Sequence, residues 1–244
     1  MPLDLSAVVK QIGEMVAHLK SDRDERLGKI NRAVNTLHSQ SINVEHLKKK
    51  IALSKTTWLV AEPVEKLNNC YPLPPKPDEF SVLATDGSHI DVDRNQAAHC
   101  YLINIGSVWL KYGRQPDAML SSEPRVYSND EDLMIPSPDG IREVPIEGNL
   151  LGMKRSIEEC RKLAETAAQL PLQSRALALV DGTLILWNME GYPDFVAEKL
   201  LDNEYLTCLE LMRKLNPDRQ LALASYISYP RSTDVINALR VGLC

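Results

Sequence analysis

The feature that most restricts the fold is a phrase the chain uses twice. Val82-Leu83-Ala84-Thr85-Asp86-Gly87-Ser88 is one copy and Ala176-Leu177-Ala178-Leu179-Val180-Asp181-Gly182-Thr183 is the other. Each is a short apolar run that ends in Asp, Gly and a hydroxyl residue. A run this short and this apolar predicts a strand buried on both faces, in the middle of a sheet covered by helices. Gly then lets the backbone turn sharply or makes room for a close neighbour. Each Asp therefore falls at the C-terminal end of a buried strand, where α/β sheets bind ligands. Two carboxylates side by side repel unless a positive group lies between them. A divalent cation answers that need, because Mg²⁺ and Mn²⁺ prefer oxygen ligands. The alternative is that both copies are only turns, since Asp-Gly is a common turn dipeptide and Asp caps neighbouring amides.

The rest of the chain excludes several function classes. The net charge of −5 leaves no general basic footprint for nucleic acid, so a nucleic-acid enzyme here needs a local basic groove or a bound metal. The five cysteines are scattered, with no Cys-x-x-Cys pair. That argues against a zinc site and a disulfide framework, and it fits a reducing, cytoplasmic setting. Met1-Pro2-Leu3-Asp4 lacks the basic and apolar regions of a signal peptide. No stretch approaches the ~18 apolar residues of a membrane span. Gly-rich phosphate loops of the Walker or dinucleotide kind are absent, as is Gly-x-Ser-x-Gly.

In order along the chain, Leu5, Val8, Val9, Ile12, Met15, Val16 and Leu19 recur at helical spacing. Leu27, Ile30, Val34 and Leu37 form a second such run, and Val44, Leu47, Ile51, Leu53, Trp58, Leu59 and Val60 a third. This predicts a helical extension that packs on the body or on a second copy, with Lys48, Lys49, Lys50 and Lys55 solvated rather than on a phosphate backbone. Pro72, Pro74, Pro75 and Pro77 mark a stiff linker. A turn is expected over Ile90–Asn95, then a β stretch from Ala97 to Tyr112 pairing antiparallel with the first Asp strand. Residues 118–149 read as irregular, with short β-like pieces such as Arg125-Val126-Tyr127 that leave room for one more strand. A helix is expected from Leu150 to Leu170, with Arg155–Glu159 and Glu158–Lys162 as surface ion pairs. After the second Asp strand come a helix from about Pro193 to Leu215, a strand at Leu221–Ile227 and a last helix from Ser232.

Carboxylates from two strands and one helix can hold two metal ions about 4 Å apart, one activating a water and the other steadying a leaving oxygen. Asp86 and Asp181 fit the strand positions, and Glu159 or Glu158 the helix position. His89 is a further candidate ligand or proton carrier, with a structural hydrogen bond as its alternative.

Four segments, in order, resemble the NurA nuclease family: Ala84-Thr85-Asp86-Gly87-Ser88, Lys154-Arg155-Ser156-Ile157-Glu158-Glu159, Leu179-Val180-Asp181-Gly182-Thr183-Leu184, and Ala224-Ser225-Tyr226-Ile227-Ser228-Tyr229-Pro230-Arg231-Ser232. The resemblance implies an α/β fold, a ribonuclease-H-like mixed sheet flanked by helices, with an N-terminal helical extension. The Pro-rich linker is placed at 71–79, and the helical extension over 1–70 corresponds to the family's extension without a residue-level match; the resemblance covers the nuclease domain over 80–244. It also implies a manganese-dependent DNA nuclease, with 5′-to-3′ exonuclease and single-strand endonuclease activity, that forms a homodimer and works with a HerA-type hexameric translocase in DNA end resection. By the same resemblance Asp86, Asp181 and Glu159 hold Mn²⁺ or Mg²⁺, with Glu158 the alternative to Glu159. Ser88 and Thr183 match the family's hydroxyl positions. Family members continue past the Tyr-Ile-Ser-x-Pro-Arg segment with a further Tyr and a His or Asp, so a C-terminally incomplete domain is expected. The rival expectation is an inactive binding or assembly subunit of a HerA-type complex.

Overall fold

The computed structural model describes residues 5–38, 43–91 and 99–243. Most of the expected turn at 90–95, the first residues of the β stretch from Ala97, and Cys244 lie outside them. In chain order the elements are α1 (Leu5–His38), α2 (Val44–Leu53), β1 (Phe80–Ile90), β2 (Tyr101–Tyr112), β3 (Asp117–Tyr127), α3 (Asp130–Leu133), β4 (Met134–Pro136), β5 (Glu143–Pro145), α4 (Asn149–Ala168), β6 (Ala176–Asp181), a 3-10 turn (Met189–Gly191), α5 (Asp194–Ala197), a π-helical segment (Glu198–Tyr205), α6 (Leu206–Arg219), β7 (Leu221–Tyr226) and α7 (Asp234–Leu243). They form two compact units. One comprises Pro75–Tyr229, the other Met1–Pro74 with Pro230–Cys244.

The larger unit is built on a five-stranded mixed sheet in the order β3-β2-β1-β6-β7. The first three strands pair antiparallel, from Phe80↔Tyr112 to Ile90↔Leu102 and from Lys111↔Asp117 to Tyr101↔Tyr127. The short passage from β1 to β2 permits only this arrangement. Strands β1, β6 and β7 run parallel, joined by crossovers that carry α4 and then α5 to α6. This is the expected mixed sheet flanked by helices, with a helical N-terminal region. The chain leaves β1 first towards β2 and β3, then returns to add β6 and β7 on its other side. The carboxyl ends of β1 and β6 are thus a switch point of the sheet, the usual crevice for a ligand.

Helix α4 forms because Leu150, Leu151, Met153, Ile157, Cys160, Leu163, Ala164 and Ala167 repeat at three- and four-residue spacing, and all are buried. It packs on β1, β2 and β6, above Leu83, Ile103 and Ala178. The two Asp strands are covered on this face only. Ser81, Leu83 and Thr85 are buried, whereas Val82 and Ala84 are half-buried and Asp86 and Ser88 exposed. β6 alternates in the same way. The expectation of strands buried on both faces therefore does not hold among the described residues.

Strand β3 is the other departure. All of it but Asp117 falls in the segment read as irregular, which also holds the short strands β4 and β5. β3 is an edge strand, exposed over all but its last residue, so it needs no apolar alternation, and Pro124 is tolerated there.

In the smaller unit α7 packs on α2 and α1. Asn237, 3% exposed, donates through Nδ2 to Leu59 O at 2.9 Å, and Lys50 Nζ donates to Gly242 O at 3.2 Å. The third periodic run of the sequence is helical only as far as Leu53, and residues 58–60 are irregular.

Candidate functional site

Parallel pairing of β1 with β6 runs from Ser81↔Ala176 to Thr85↔Val180. Asp86 and Asp181 are the next residue on each strand. They stand side by side on the same face, at the ~4.8 Å spacing of neighbouring strands. Beyond them the strands part. β1 continues to Ile90 along β2, whereas β6 ends and Gly182 takes φ +93°, a conformation that favours glycine. Gly182 N–H donates to Tyr226 O at 2.9 Å and ties this turn to β7. Both aspartates are exposed.

Glu159 approaches the pair from α4, on the covered side of the sheet. It is 7% exposed. Three consecutive residues of β1 fix the geometry. Thr85 Oγ1 donates to the main-chain oxygen of Glu159 at 2.9 Å and anchors the helix to the strand. Asp86 presents its carboxylate. Gly87 donates its N–H to the Glu159 carboxylate and has no side chain to obstruct it. A Cβ at this position would lie 2.6 Å from Glu159 Oε1 and 2.9 Å from Arg155 Cγ, far inside contact distance. The glycine of the repeated phrase is thus required by a close approach in its first copy and by positive φ in its second.

Burial pushes the Glu159 carboxyl up to about 7. Arg155, whose Nε lies 3.1 Å from Oε1, pulls it down, while Asp86 and Asp181 both push it up. The three acids therefore act as one electrostatic group. Their oxygens suit a hard divalent cation. They do not surround a common point, and among the described residues no three Asp, Glu, His or Cys side chains form a ready-made metal-binding group.

Glu158, the alternative to Glu159, points elsewhere, because adjacent helix residues diverge by about 100°. Its Oε1 lies 3.1 Å from Lys154 Nζ and 2.7 Å from Arg161 Nη1. Glu204 of the π-helical segment completes this network, 2.8 Å from Lys154 and 3.0 Å from Arg161. The expected Glu158–Lys162 surface pair is replaced by these contacts, and Lys162 pairs with Glu123 of β3 instead. The expected Arg155–Glu159 pair does form, but around a buried carboxylate rather than on the surface. Ser88 is exposed beside Asp86. His89 has a buried Nδ1 without a hydrogen-bond partner among the described residues. Thr183 Oγ1 accepts from Ile185 N–H at 3.1 Å, a local turn contact.

Asp86 and Asp181 share an open trough of about 570 Å³ with Asn104, Val108, Leu179 and Tyr226. Among the described residues no Lys, Arg or His lines it. A phosphate brought to these carboxylates would meet only negative charge unless a cation came with it. The sequence points to the room that Gly87 leaves, but not to Glu159 as the neighbour that fills it, nor to the roles of Thr85 and Arg155 around Glu159. The Arg155–Glu159 spacing was the available signal, but spacing alone does not reveal burial.

The family model described as the NurA domain matches residues 80–242. No curated protein matches the chain. Among solved structures it is similar to the protease–reverse transcriptase of Prototype Foamy Virus, as a selenomethionine-labelled CSH mutant and in native form, at 13% identity in each case. The TM-scores are 0.35 and 0.32, over 70% and 75% of this chain but 20% and 23% of those chains, so it spans about a fifth of their length. It is also similar to LC9-RNase H1, a type 1 RNase H with the type 2 active-site motif, at 10% identity and a TM-score of 0.30, over 69% of this chain and 72% of that one.

Proposed function

Because the chain belongs to the NurA family, a family of nucleases, we propose that it is a divalent-metal-dependent deoxyribonuclease whose site is built on Asp86, Asp181 and Glu159. The observation that carries this reading is the pair of exposed carboxylates at the parting of β1 and β6, with a buried third acid on the covered side of the sheet whose carboxyl both of them push up. Asp86 and Asp181 would hold the ion, with Glu159 the third candidate ligand. A bound Mg²⁺ or Mn²⁺ supplies positive charge for the phosphate and lowers the pKa of a water. The chain's own residues position that chemistry. The strand ends keep the two aspartates in register, Gly87 N–H orients Glu159, and the trough beside them leaves an approach for the strand to be cut.

The finer reading follows the family resemblance. It is a manganese enzyme with 5′-to-3′ exonuclease and single-strand endonuclease activity, acting in DNA end resection and double-strand break repair. It works in the cytoplasm as a homodimer with a HerA-type hexameric ATPase. Among the described residues no helix is long and apolar enough to cross a membrane. The second reading is an inactive binding or assembly subunit of such a translocase complex, and one observation favours it: Glu159 is engaged by Arg155 instead of standing free. Digestion of labelled single- and double-stranded DNA, with Mn²⁺, with Mg²⁺ and with EDTA, separates the two. Metal-dependent cutting supports the enzyme. A folded protein that binds DNA or the translocase and cuts nothing supports the subunit.

A further inference from the structure

Glu159 is gripped from three directions: its main chain by Thr85, its carboxylate by Gly87 N–H, and the same carboxylate by Arg155 one helical turn earlier. The Arg155 contact is unusual. Its stem lies across Gly87, with Cγ 2.9 Å from where a side chain there would begin. Its Nε lies 3.1 Å from Glu159 Oε1, yet this buried nitrogen makes no hydrogen bond. A buried donor left without an aligned acceptor costs free energy, so attraction of charge holds the guanidinium there. A guanidinium does not lose its proton in proteins, which makes it a permanent counter-charge. The other cations of α4 are committed elsewhere. Lys154 and Arg161 serve Glu158 and Glu204, and Lys162 serves Glu123.

We propose that Arg155 is a positioning residue that acts as the built-in counter-cation of the acidic site, holding Glu159 against Gly87 in the metal-free protein and setting how tightly a divalent ion binds. The ion and the guanidinium compete for one carboxylate. Arg155 keeps the three acids compatible with a folded, metal-free chain, and it weakens metal binding in return. This rests on the metal-dependent reading of the same site.

The test is Mn²⁺ titration of the full chain by calorimetry, with thermal unfolding at each Mn²⁺ concentration. Arg155→Met keeps the stem over Gly87 and removes the charge. It should bind Mn²⁺ about tenfold more tightly than the wild type. It should also unfold at a lower temperature without metal and gain more from Mn²⁺. Arg155→Lys, which keeps the charge, should stay near the wild type. Should the Met variant fail to fold, Arg155→Gln carries the same expectation. Unchanged or weaker Mn²⁺ binding in the uncharged variants, with binding present in the wild type and lost in Asp181→Asn, overturns the role of Arg155 and leaves the metal site standing. Absence of Mn²⁺ binding in the wild type overturns both.

Discussion

Gly87 meets two demands in one residue: it gives a main-chain N–H to Glu159 and leaves the space that the carboxylate occupies. Gly87→Ala puts a methyl group 2.6 Å from Glu159 Oε1. It should cost about 1–3 kcal/mol in thermal unfolding, as overpacking does, and displace Glu159 enough to lower metal-dependent cleavage about tenfold or more. Wild-type cleavage by a folded Gly87→Ala protein would mean that the position of Glu159 is immaterial. Glu159 also makes a pH prediction. Its folded value of about 7 lies above the ordinary 4.5, with Arg155, Asp86 and Asp181 as the charges facing it. The folded chain therefore binds this proton more tightly than the unfolded chain. The stabilisation is fully present below about pH 4.5 and is lost as pH rises to about 7. It amounts to at most about 3 kcal/mol. In EDTA, Glu159→Gln should remove this part of the pH dependence of unfolding, and an unchanged slope in the variant would count against the burial of Glu159.

At the scale of elements, α4 separates two adjacent acids into different jobs. Glu159 faces the strand ends, while Glu158 joins α4 to the π-helical segment through Lys154, Arg161 and Glu204. Glu158→Gln should therefore lower stability by about 1–2 kcal/mol, because Lys154 and Arg161 keep Glu204, and leave the metal requirement of cleavage intact. Loss of metal-dependent cleavage without loss of stability would reassign the site to Glu158. The same helix marks what the sequence makes legible. Its apolar spacing gives its span to within two residues. The second Asp-Gly pair marks the end of β6, because apolar runs and turn glycines are local signals, but the first does not end its strand: β1 continues through Asp86 and Gly87 to Ile90 because β2 goes on pairing with it. Choosing between Glu158 and Glu159 is not local, since both share a helix and both have basic residues at ion-pair spacing. Which of the two faces β1 is set by the register of α4 against that strand, held by the Thr85–Glu159 hydrogen bond. Strand β3 escapes for a similar reason. Its pairing comes from β2, and Ser121, Ser122, Glu123 and Pro124 carry no apolar pattern of their own.

For the whole molecule, the two compact units do not follow the order of the chain. The smaller one joins residues from both ends, and the family match over 80–242 runs through the larger unit into it. Asn237 is a test of that union. Asn237→Ala removes the donors to Leu59 O and Thr233 Oγ1 and the acceptor for Arg240. It should destabilise the smaller unit by about 1–3 kcal/mol, seen as faster amide exchange in α2 and α7 with unchanged protection in β1 and β6. Loss of protection in the sheet instead would mean that the units unfold as one. A net charge of −5 with an acidic trough requires that nucleic acid come with a cation. The most direct measurement is therefore cleavage of labelled DNA across a Mn²⁺ titration by the wild type, Asp86→Asn and Asp181→Asn, each checked for folding. The expected result is metal-dependent cutting by the wild type and a loss of at least about a hundredfold in both variants. Cutting that persists in EDTA, or in both Asn variants, would contradict a site built on the two strand-end carboxylates.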